Sequence, residues 1–263
     1  MIHTKNIIFL LPKIAISLMI LCFSSSTLQA NDKQQQVVLE VYPQWYSDQD
    51  YSVQGNLGIE KGFDSGESVK YYGKPSFSYA LDNNWALHAG LGLYYTDNEN
   101  RSSDFEIRPF QGISHFYPLT EKWRISSYLR VEERFQYDTD TWDKENTVRL
   151  RLRLRTAYTL NPLSLANSWH KLMFSVEGFK TYNQDESSID IEDRYDRESI
   201  VKFGAERNLR DQQKVRFELA WKYKAKPGDI EDSSASTAYL KVQYYTTWGK
   251  SWTNKLNDKE IDQ

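Results

Sequence analysis

Apolar and charged residues alternate without a break in the middle of the chain, in the stretch TVRLRLRLRTAYTL at residues 147–160. A repeat of two is the period of a β-strand, in which successive side chains point to opposite faces. At helical spacing the same residues would form no apolar stripe. The pattern therefore predicts one strand with an apolar and a cationic face, which are formed by Val148, Leu150, Leu152 and Leu154 and by Arg149, Arg151, Arg153 and Arg155.

The cationic face restricts where this strand can lie. Consecutive inward arginines do not face a dry protein core, because an unpaired buried charge costs too much free energy. The arginine face must therefore meet water or carboxylates, while the apolar face must meet lipid or a hydrophobic core. The rest of the chain decides between these two settings.

The same alternation recurs along the chain and predicts ten strands. We place them at residues 36–46, 68–81, 85–96, 104–117, 123–137, 147–160, 169–182, 195–208, 213–226 and 237–250. Pro43 interrupts the first strand, and we expect a bend or weak pairing there. The polar stretch at residues 47–67 contains four glycines and is either a long loop or the place of another short hairpin.

The connections between the predicted strands alternate in length. Those after the second, fourth, sixth and eighth strands are mostly shorter than the others, as in outer-membrane barrels with short periplasmic turns and longer outer loops. Aromatic residues near strand ends resemble the girdles at the two membrane interfaces: Trp85, Trp123, Tyr95, Phe135, Tyr158 and Trp248.

These patterns predict an all-β, antiparallel transmembrane β-barrel of about ten strands, with twelve strands as the alternative. An even number of strands places both ends of the barrel chain on the periplasmic, short-turn side. A soluble β-sandwich would explain the alternation, but not the turn lengths and the girdles together.

The N-terminus has the organisation of a secretory signal peptide. Lys5 and Lys13 are its only charged residues, residues 14–23 are apolar, and residues 24–30 are small or polar. A membrane anchor is the rival interpretation, although Pro12 and Lys13 leave the apolar run short for a span. We expect a signal peptide at residues 1–30, and one barrel domain at residues 31–263 with a polar tail at about 253–263.

An exported chain of this kind is expected in the bacterial outer membrane, surrounded by lipid and lipopolysaccharide. Cys22 is the only cysteine and lies in the predicted signal peptide, so no disulfide framework is expected. Cleavage of the predicted signal peptide would remove Lys5 and Lys13 and change the formal charge from −3 to −5. We expect a monomer that uses no cofactor and binds no nucleic acid.

The polar faces of the strands place an excess of cations in the lumen. Rings of arginine and lysine attract anions, which favours an anion-selective channel. The alternative is a closed structural or surface-interaction barrel, in which arginine and glutamate pair across a narrow interior. The candidate anion-binding residues are Arg108, Arg124, Arg130, Arg134, Arg149, Arg151, Arg153, Arg155 and Arg216.

The sequence contains no motif of a nucleophilic or metal-dependent enzyme. Past the predicted signal peptide the histidines are His88, His115 and His170, which lie on separate predicted strands. We therefore predict that the protein is not an enzyme and has neither catalytic nor metal-binding residues. An outer-membrane hydrolase remains a lower alternative, since it would need a histidine beside serine or aspartate at one rim.

Two neighbouring strands carry a resemblance to a known group of channels. The run Ile107-Arg108-Pro109-Phe110, the turn at residues 118–122 and the run LRVEERF at residues 129–135 resemble small outer-membrane channels for acidic oligosaccharides. These are the oligogalacturonate-specific porins and the sialic-acid channel. The resemblance implies a monomeric barrel with arginine tracks along a narrow lumen and an acidic sugar as substrate. Those channels have twelve strands and end in an aromatic residue, whereas this chain ends in Gln263.

Overall fold

The computed structural model describes residues 33–48, 50–63, 68–99, 102–160, 168–183, 195–209, 213–225 and 235–248. The predicted signal peptide at residues 1–30 and the polar tail at residues 253–263 lie outside the described residues. Residues from Gln34 onward form one compact unit. In the described part of the chain no helix is long and apolar enough to cross a membrane.

The described residues form strands that are separated by turns and loops. The strands are β1 Lys33–Ser47, β2 Tyr51–Gln54, β3 Leu57–Gly62, β4 Ser68–Gly73, β5 Ser76–Ala80, β6 Trp85–Asn98, β7 Asp104–Pro118, β8 Trp123–Asp138, β9 Lys144–Thr159, β10 Trp169–Asn183, β11 Tyr195–Asn208, β12 Lys214–Ala225 and β13 Ala235–Thr247. They belong to a single sheet that closes on itself through a pairing of β13 with β1. The predicted all-β barrel is therefore confirmed.

The barrel has eleven strand positions, because two of them are each made by two short segments. β2 and β3 lie end to end against β1, and β4 and β5 lie end to end against β6. The second position is formed by β2 and β3 within residues 47–67, for which the sequence predicts a long loop or a short hairpin. These residues instead cross the barrel once, which adds one strand to the ten that were predicted.

The odd strand number makes the closing pair of strands parallel. Lys241 pairs with Glu40, the Tyr245 ring stacks on Tyr42, and the Trp248 amide donates to the Gln44 carbonyl, so residue numbers rise together along β13 and β1. The other neighbouring strands pair in antiparallel fashion.

The two ends of the barrel differ in the length of their connections. We name the two ends after the number of residues between the described strands. At the short-turn end the chain passes from strand to strand through residues 48–50, 81–84, 119–122, 160–168 and 209–213, and at the long-loop end through residues 63–67, 99–103, 139–143, 184–194 and 226–234. β13 ends at the short-turn end, but β1 begins at the long-loop end. The expectation that both ends of the barrel chain share one side is wrong, because β2 and β3 provide an extra crossing.

The breaks inside the split strands lie side by side. Asn56, between β2 and β3, exchanges two backbone hydrogen bonds with Lys74, between β4 and β5, at N···O distances of 3.1 and 2.8 Å. Pro43 and Pro75 lie on this line, and neither has an amide hydrogen to donate to a ladder. The Gly55 amide donates to the Pro43 carbonyl at 2.8 Å. The bend expected at Pro43 thus extends across three neighbouring strand positions.

Short polar side chains fix the tight turns. The Asp82 Oδ1 atom accepts hydrogen bonds from the backbone amides of Asn84 at 2.6 Å and Trp85 at 2.8 Å. Such local bonds replace the ladder bonds that a turning backbone gives up. The same arrangement starts the turns at Asp48, Thr120 and Asp138.

The barrel is apolar outside and polar inside. On β9 the Leu152 side chain points outward and is 49% exposed, whereas the neighbouring Arg153 points inward and is 7% exposed. The predicted outward faces of the other strands are likewise exposed, including Leu39, Leu91, Leu129, Phe174, Phe203 and Trp221. A soluble protein buries the opposite set of residues. The interior of this molecule is therefore largely polar and charged, with a buried apolar cluster of Val38, Ile200, Ala220 and Tyr239 on one side.

Candidate functional site

The inner face of β9 carries the predicted arginine ladder. Arg151, Arg153 and Arg155 are buried, and Arg149 is partly buried nearer the long-loop end. The register places Arg151 opposite Arg130 of β8, so two cations face each other directly across the pair of strands. Like charges in this position repel, and the ladder is stable only if carboxylates lie close by.

Glu132 on β8 is the first of these carboxylates and has no exposed surface. Its Oε1 atom accepts from Arg130 Nη2 at 2.7 Å, and its Oε2 atom accepts from Arg149 Nη2 at 2.9 Å. Arg108 Nε lies 3.5 Å from Oε2 as a third cation. One carboxylate thus neutralises part of the charge of three guanidinium groups.

Glu106 on β7 extends this cluster toward the long-loop end. Arg108 donates to both carboxylate oxygens, with Nε to Oε1 at 2.9 Å and Nη2 to Oε2 at 2.7 Å. Arg134 Nε donates to Oε1 at 2.6 Å. Arg108 also lies over the Tyr94 ring, with Cζ 4.1 Å from the ring centroid. Arginine suits such paired contacts because its planar fork matches a carboxylate.

Glu177 on β10 partners the centre of the ladder. Arg151 Nη2 donates to its Oε2 atom at 2.9 Å, and Lys202 Nζ of β11 donates to its Oε1 atom at 2.9 Å. Glu177 is almost fully buried. The carboxylate therefore ties three neighbouring strands together while it compensates two cations.

Glu206 on β11 forms a further cluster near the short-turn end. Arg216 Nη2 donates to its Oε2 atom at 2.6 Å, and His170 Nε2 lies 2.8 Å from its Oε1 atom. Lys214 Nζ lies 3.7 Å from the same Oε1 atom. This places Arg216, the candidate on β12, in an ion pair on the side of the lumen formed by β11 and β12.

Glu40 on β1 lies at the parallel closure. Lys241 Nζ is 3.0 Å from its Oε2 atom, and Lys74 Nζ is 3.8 Å from its Oε1 atom. Uncharged donors fill the remaining positions around the carboxylate: Tyr42 at 2.9 Å, Asn56 at 3.0 Å, Tyr72 at 2.6 Å and Gln243 at 2.7 Å. A single buried carboxylate thus joins both sides of the seam.

The five clusters share one imbalance of charge. Each carboxylate has two or three lysine or arginine groups within 4.0 Å. Cations therefore exceed anions in the described part of the network, as the sequence predicted. The interior is an Arg/Glu salt-bridge network with a net positive charge.

The remaining candidate arginines lie nearer the short-turn end. Arg155 pairs in register with Ser126 and Ser175, so its immediate neighbours on the inner face are small and uncharged. Arg124 follows Trp123 at the start of β8 and is partly buried. Between these arginines and the carboxylates of Glu132 and Glu177, the described inner faces of β8, β9 and β10 carry no other carboxylate. On these three strands, this part of the inner face is therefore a cationic surface.

Tyr128 on β8 joins this cationic surface, although it was not a candidate site residue. The Arg153 Cζ atom lies 5.1 Å from the Tyr128 ring centroid, and the Arg130 Cζ atom lies 5.9 Å from it. The side chain is 2% exposed, and its hydroxyl has no hydrogen-bond partner among the described residues. The alternation in the sequence places Tyr128 on the polar face of β8, but the sequence does not indicate that its hydroxyl is unpaired.

His88 lies between two serines inside the barrel. Its Nδ1 atom is 2.9 Å from Ser78 Oγ on β5, and its Nε2 atom is 2.7 Å from Ser114 Oγ on β7. The three side chains are buried, and the His88 ring packs edge-on against Tyr128 at 5.3 Å. The sequence places the three histidines on separate strands and indicates no serine partner for any of them. Hairpin register could have supplied the first contact, because Ser78 faces His88 across the turn at residues 81–84.

The other two histidines have different surroundings. His115 stacks against Trp85 at the short-turn end, with ring centroids 4.3 Å apart, and His170 contacts Glu206. In the described part of the chain no group of three or more histidine, cysteine, aspartate or glutamate residues could hold a metal ion.

Comparison with known families assigns the chain to a group without an established function. Residues 39–227 match the model of a family described as a protein of unknown function, DUF2490. The match covers most of the barrel, and the chain belongs to this family. No curated protein matches the sequence.

Proposed function

We propose that this DUF2490 member is an outer-membrane β-barrel whose basic lumen binds and passes small anions. The observation that carries the proposal is the distribution of charge: apolar side chains cover the outside, and inside, two or three cations surround each of the five carboxylates of Glu40, Glu106, Glu132, Glu177 and Glu206. A soluble container would not expose the outer leucines, and a neutral plug would not need the excess of arginine and lysine.

The outer surface supports a membrane location. Trp85 and Tyr95 lie at opposite ends of the outward face of β6, ten residues apart. At about 3.3 Å per residue and a strand tilt of about 40°, they are separated by about 25 Å along the barrel axis. This is the height of the apolar band of outer-membrane barrels, which aromatic residues border on both sides. Lipid and lipopolysaccharide would then be the partners of this surface.

The lumen supports anion transport. A cationic wall attracts anions and orients those that carry carboxylates, since guanidinium groups bind carboxylate oxygens in pairs. The similarity of residues 107–110 and 129–135 to acidic-oligosaccharide channels favours an acidic sugar, carried by a monomer. Glu132 and Glu177 compensate part of this wall, and the excess of arginine and lysine over these carboxylates would still favour the entry of anions.

The second candidate is a closed structural or surface-interaction barrel. The observation in its favour is the burial of the inward carboxylates, of which Glu132 and Glu206 have no exposed surface. Barrels of about eight strands are filled by their own side chains, and eleven strands leave only a little more room. In this case the arginines would serve only as internal partners of the glutamates.

Flux from liposomes separates the two candidates. Folded protein in liposomes loaded with labelled sulfate should release the label, and the double variant Arg151→Ser and Arg153→Ser should release it more slowly. Lys122→Ser is the matched control, because Lys122 lies exposed in a turn outside the lumen and its loss should change nothing. Retention of the label by correctly folded wild-type protein would favour the closed barrel.

The proposal does not include an enzyme activity. Ser114 and His88 have the spacing of a nucleophile and its base. However, the pair is buried inside the barrel wall, where a scissile bond would have to displace packed side chains. Purified protein should therefore hydrolyse neither phospholipid nor peptide. Hydrolysis that disappears in His88→Ala would replace the proposal with a hydrolase.

A further inference from the structure

Buried donors without partners gather on the inner face of β8 and β9. The Tyr128 hydroxyl and the Arg151 Nε group both lack a hydrogen-bond partner among the described residues, and both side chains are at least nine-tenths buried. Arg149 Nε is a third such donor, further toward the long-loop end. A buried donor that is left unpaired costs about 1–3 kcal/mol, so such groups call for an unseen acceptor.

The strand register makes the two residues that carry the first two donors neighbours on the inner face. Tyr128 pairs with Arg153, and the next inward pair toward the long-loop end is Arg130 with Arg151. Tyr128 and Arg151 are therefore diagonal neighbours on one face, a separation that long side chains bridge. The guanidinium groups of Arg130 and Arg153 flank the Tyr128 ring.

The carboxylates close to this position are already engaged. Glu132 accepts from Arg130 and Arg149, and Glu177 accepts from Arg151 Nη2 and Lys202. Among the described residues no acceptor is paired with the Tyr128 hydroxyl or with Arg151 Nε, which favours an acceptor supplied by a ligand. Net positive charge favours an anion over water, and two separate donors favour an anion with at least two acceptor oxygens over a single-atom halide.

We infer that Tyr128 and Arg151 form a discrete site for a small oxyanion, such as a carboxylate or sulfate, with Arg130 and Arg153 at its sides. The inference rests on the proposed function and deepens it. The proposed function requires only a cationic lumen, whereas this site gives the passing anion one defined resting position. One oxygen of the ligand accepts from the Tyr128 hydroxyl and another accepts from Arg151 Nε.

Calorimetric titration of the folded protein in detergent tests the site without requiring conduction. Sodium sulfate and sodium acetate are the probes, and sodium chloride at equal ionic strength is the halide reference. Wild type should bind both oxyanions and bind chloride more weakly. Tyr128→Phe removes only the hydroxyl and should weaken oxyanion binding about tenfold, the effect of one hydrogen bond to a charged group.

Two further variants separate the hydrogen bonds from general charge. Arg151→Lys keeps the positive charge beside Glu177 but loses the Nε donor, and it should also weaken sulfate binding about tenfold. Tyr94→Phe is the matched control, because the Tyr94 hydroxyl already accepts a hydrogen bond from Arg108 Nη1 at 3.3 Å. Its affinity for sulfate should equal that of wild type.

Failure of the oxyanion site and failure of the proposed channel function give different results. Equal sulfate affinity in Tyr128→Phe and wild type, or equal affinity for sulfate and chloride, would overturn the site and would indicate water at this position. Sulfate release from liposomes would then still support an anion channel. Conversely, tight sulfate binding that Tyr128→Phe weakens, in a protein that releases no label, would support the site and refute the channel.

Discussion

Replacement of Glu132 by glutamine tests whether the interior network stabilises the barrel. Glu132 is fully buried and accepts hydrogen bonds from Arg130 and Arg149. Removing one partner of a buried ion pair costs about 3–5 kcal/mol. The glutamine keeps one acceptor oxygen, and the side chain of Arg149 retains some contact with water. We therefore expect a loss at the lower end, about 3 kcal/mol, or about two orders of magnitude in the folding equilibrium.

Urea unfolding of the protein folded in detergent or liposomes measures this loss through tryptophan fluorescence and gel mobility. The neighbouring Glu133 supplies a matched control, because it carries the same side chain on the same strand but points outward and is exposed. Glu133→Gln should unfold at the same urea concentration as wild type, or at a slightly higher one. If Glu132→Gln and Glu133→Gln were equally stable, the arginines would not depend on this carboxylate, and the reasoning on the network would be wrong.

Three other substitutions test the membrane face, the split strands and the seam. Leu152→Lys should cost about 2–4 kcal/mol in a lipid bilayer, whereas Leu119→Lys in an exposed turn should be neutral in the same urea titration; equal tolerance would indicate a water-exposed barrel. Gly90→Ala should destabilise by about 1–3 kcal/mol, because its Cβ would lie 2.6 Å from the Pro75 carbonyl oxygen. Gly178→Ala meets nothing within 4 Å and should be neutral, so similar losses in both would contradict the close approach. Glu40→Gln should weaken the β1–β13 closure by about 2–4 kcal/mol in urea, and an unchanged midpoint would show that Glu40 does not hold the seam.

The alternation of residues predicted most of the fold because a period of two assigns each side chain to a face. Leu152 and Arg153 point to opposite faces as expected, and the same holds on the other long strands. The missed strand had a physical cause. β2 and β3 are short, and Gly55 and Asn56 interrupt them beside Pro43, so no run of alternating residues was long enough to detect.

The composition of the lumen could be predicted, but its pairing could not. Residue parity placed Arg151 and Glu177 on inner faces, and strand register then determines that they meet. Glu40 contacts Gln243, which is 203 residues away, and that contact depends on the parallel closure. The even number of strands that the sequence predicts would make β1 and β13 antiparallel. The sequence did not single out the Tyr128 hydroxyl, because only the structure shows that donors surround it.

The reversal potential across a planar bilayer with a salt gradient tests the central claim most directly. A lumen in which cations outnumber carboxylates should select anions, so the potential of folded wild-type protein should shift toward the equilibrium potential of chloride. Loss of Arg151 and Arg153 should reduce this shift. A shift toward the equilibrium potential of the cation, or an absence of channel events from correctly folded protein, would contradict the proposed function.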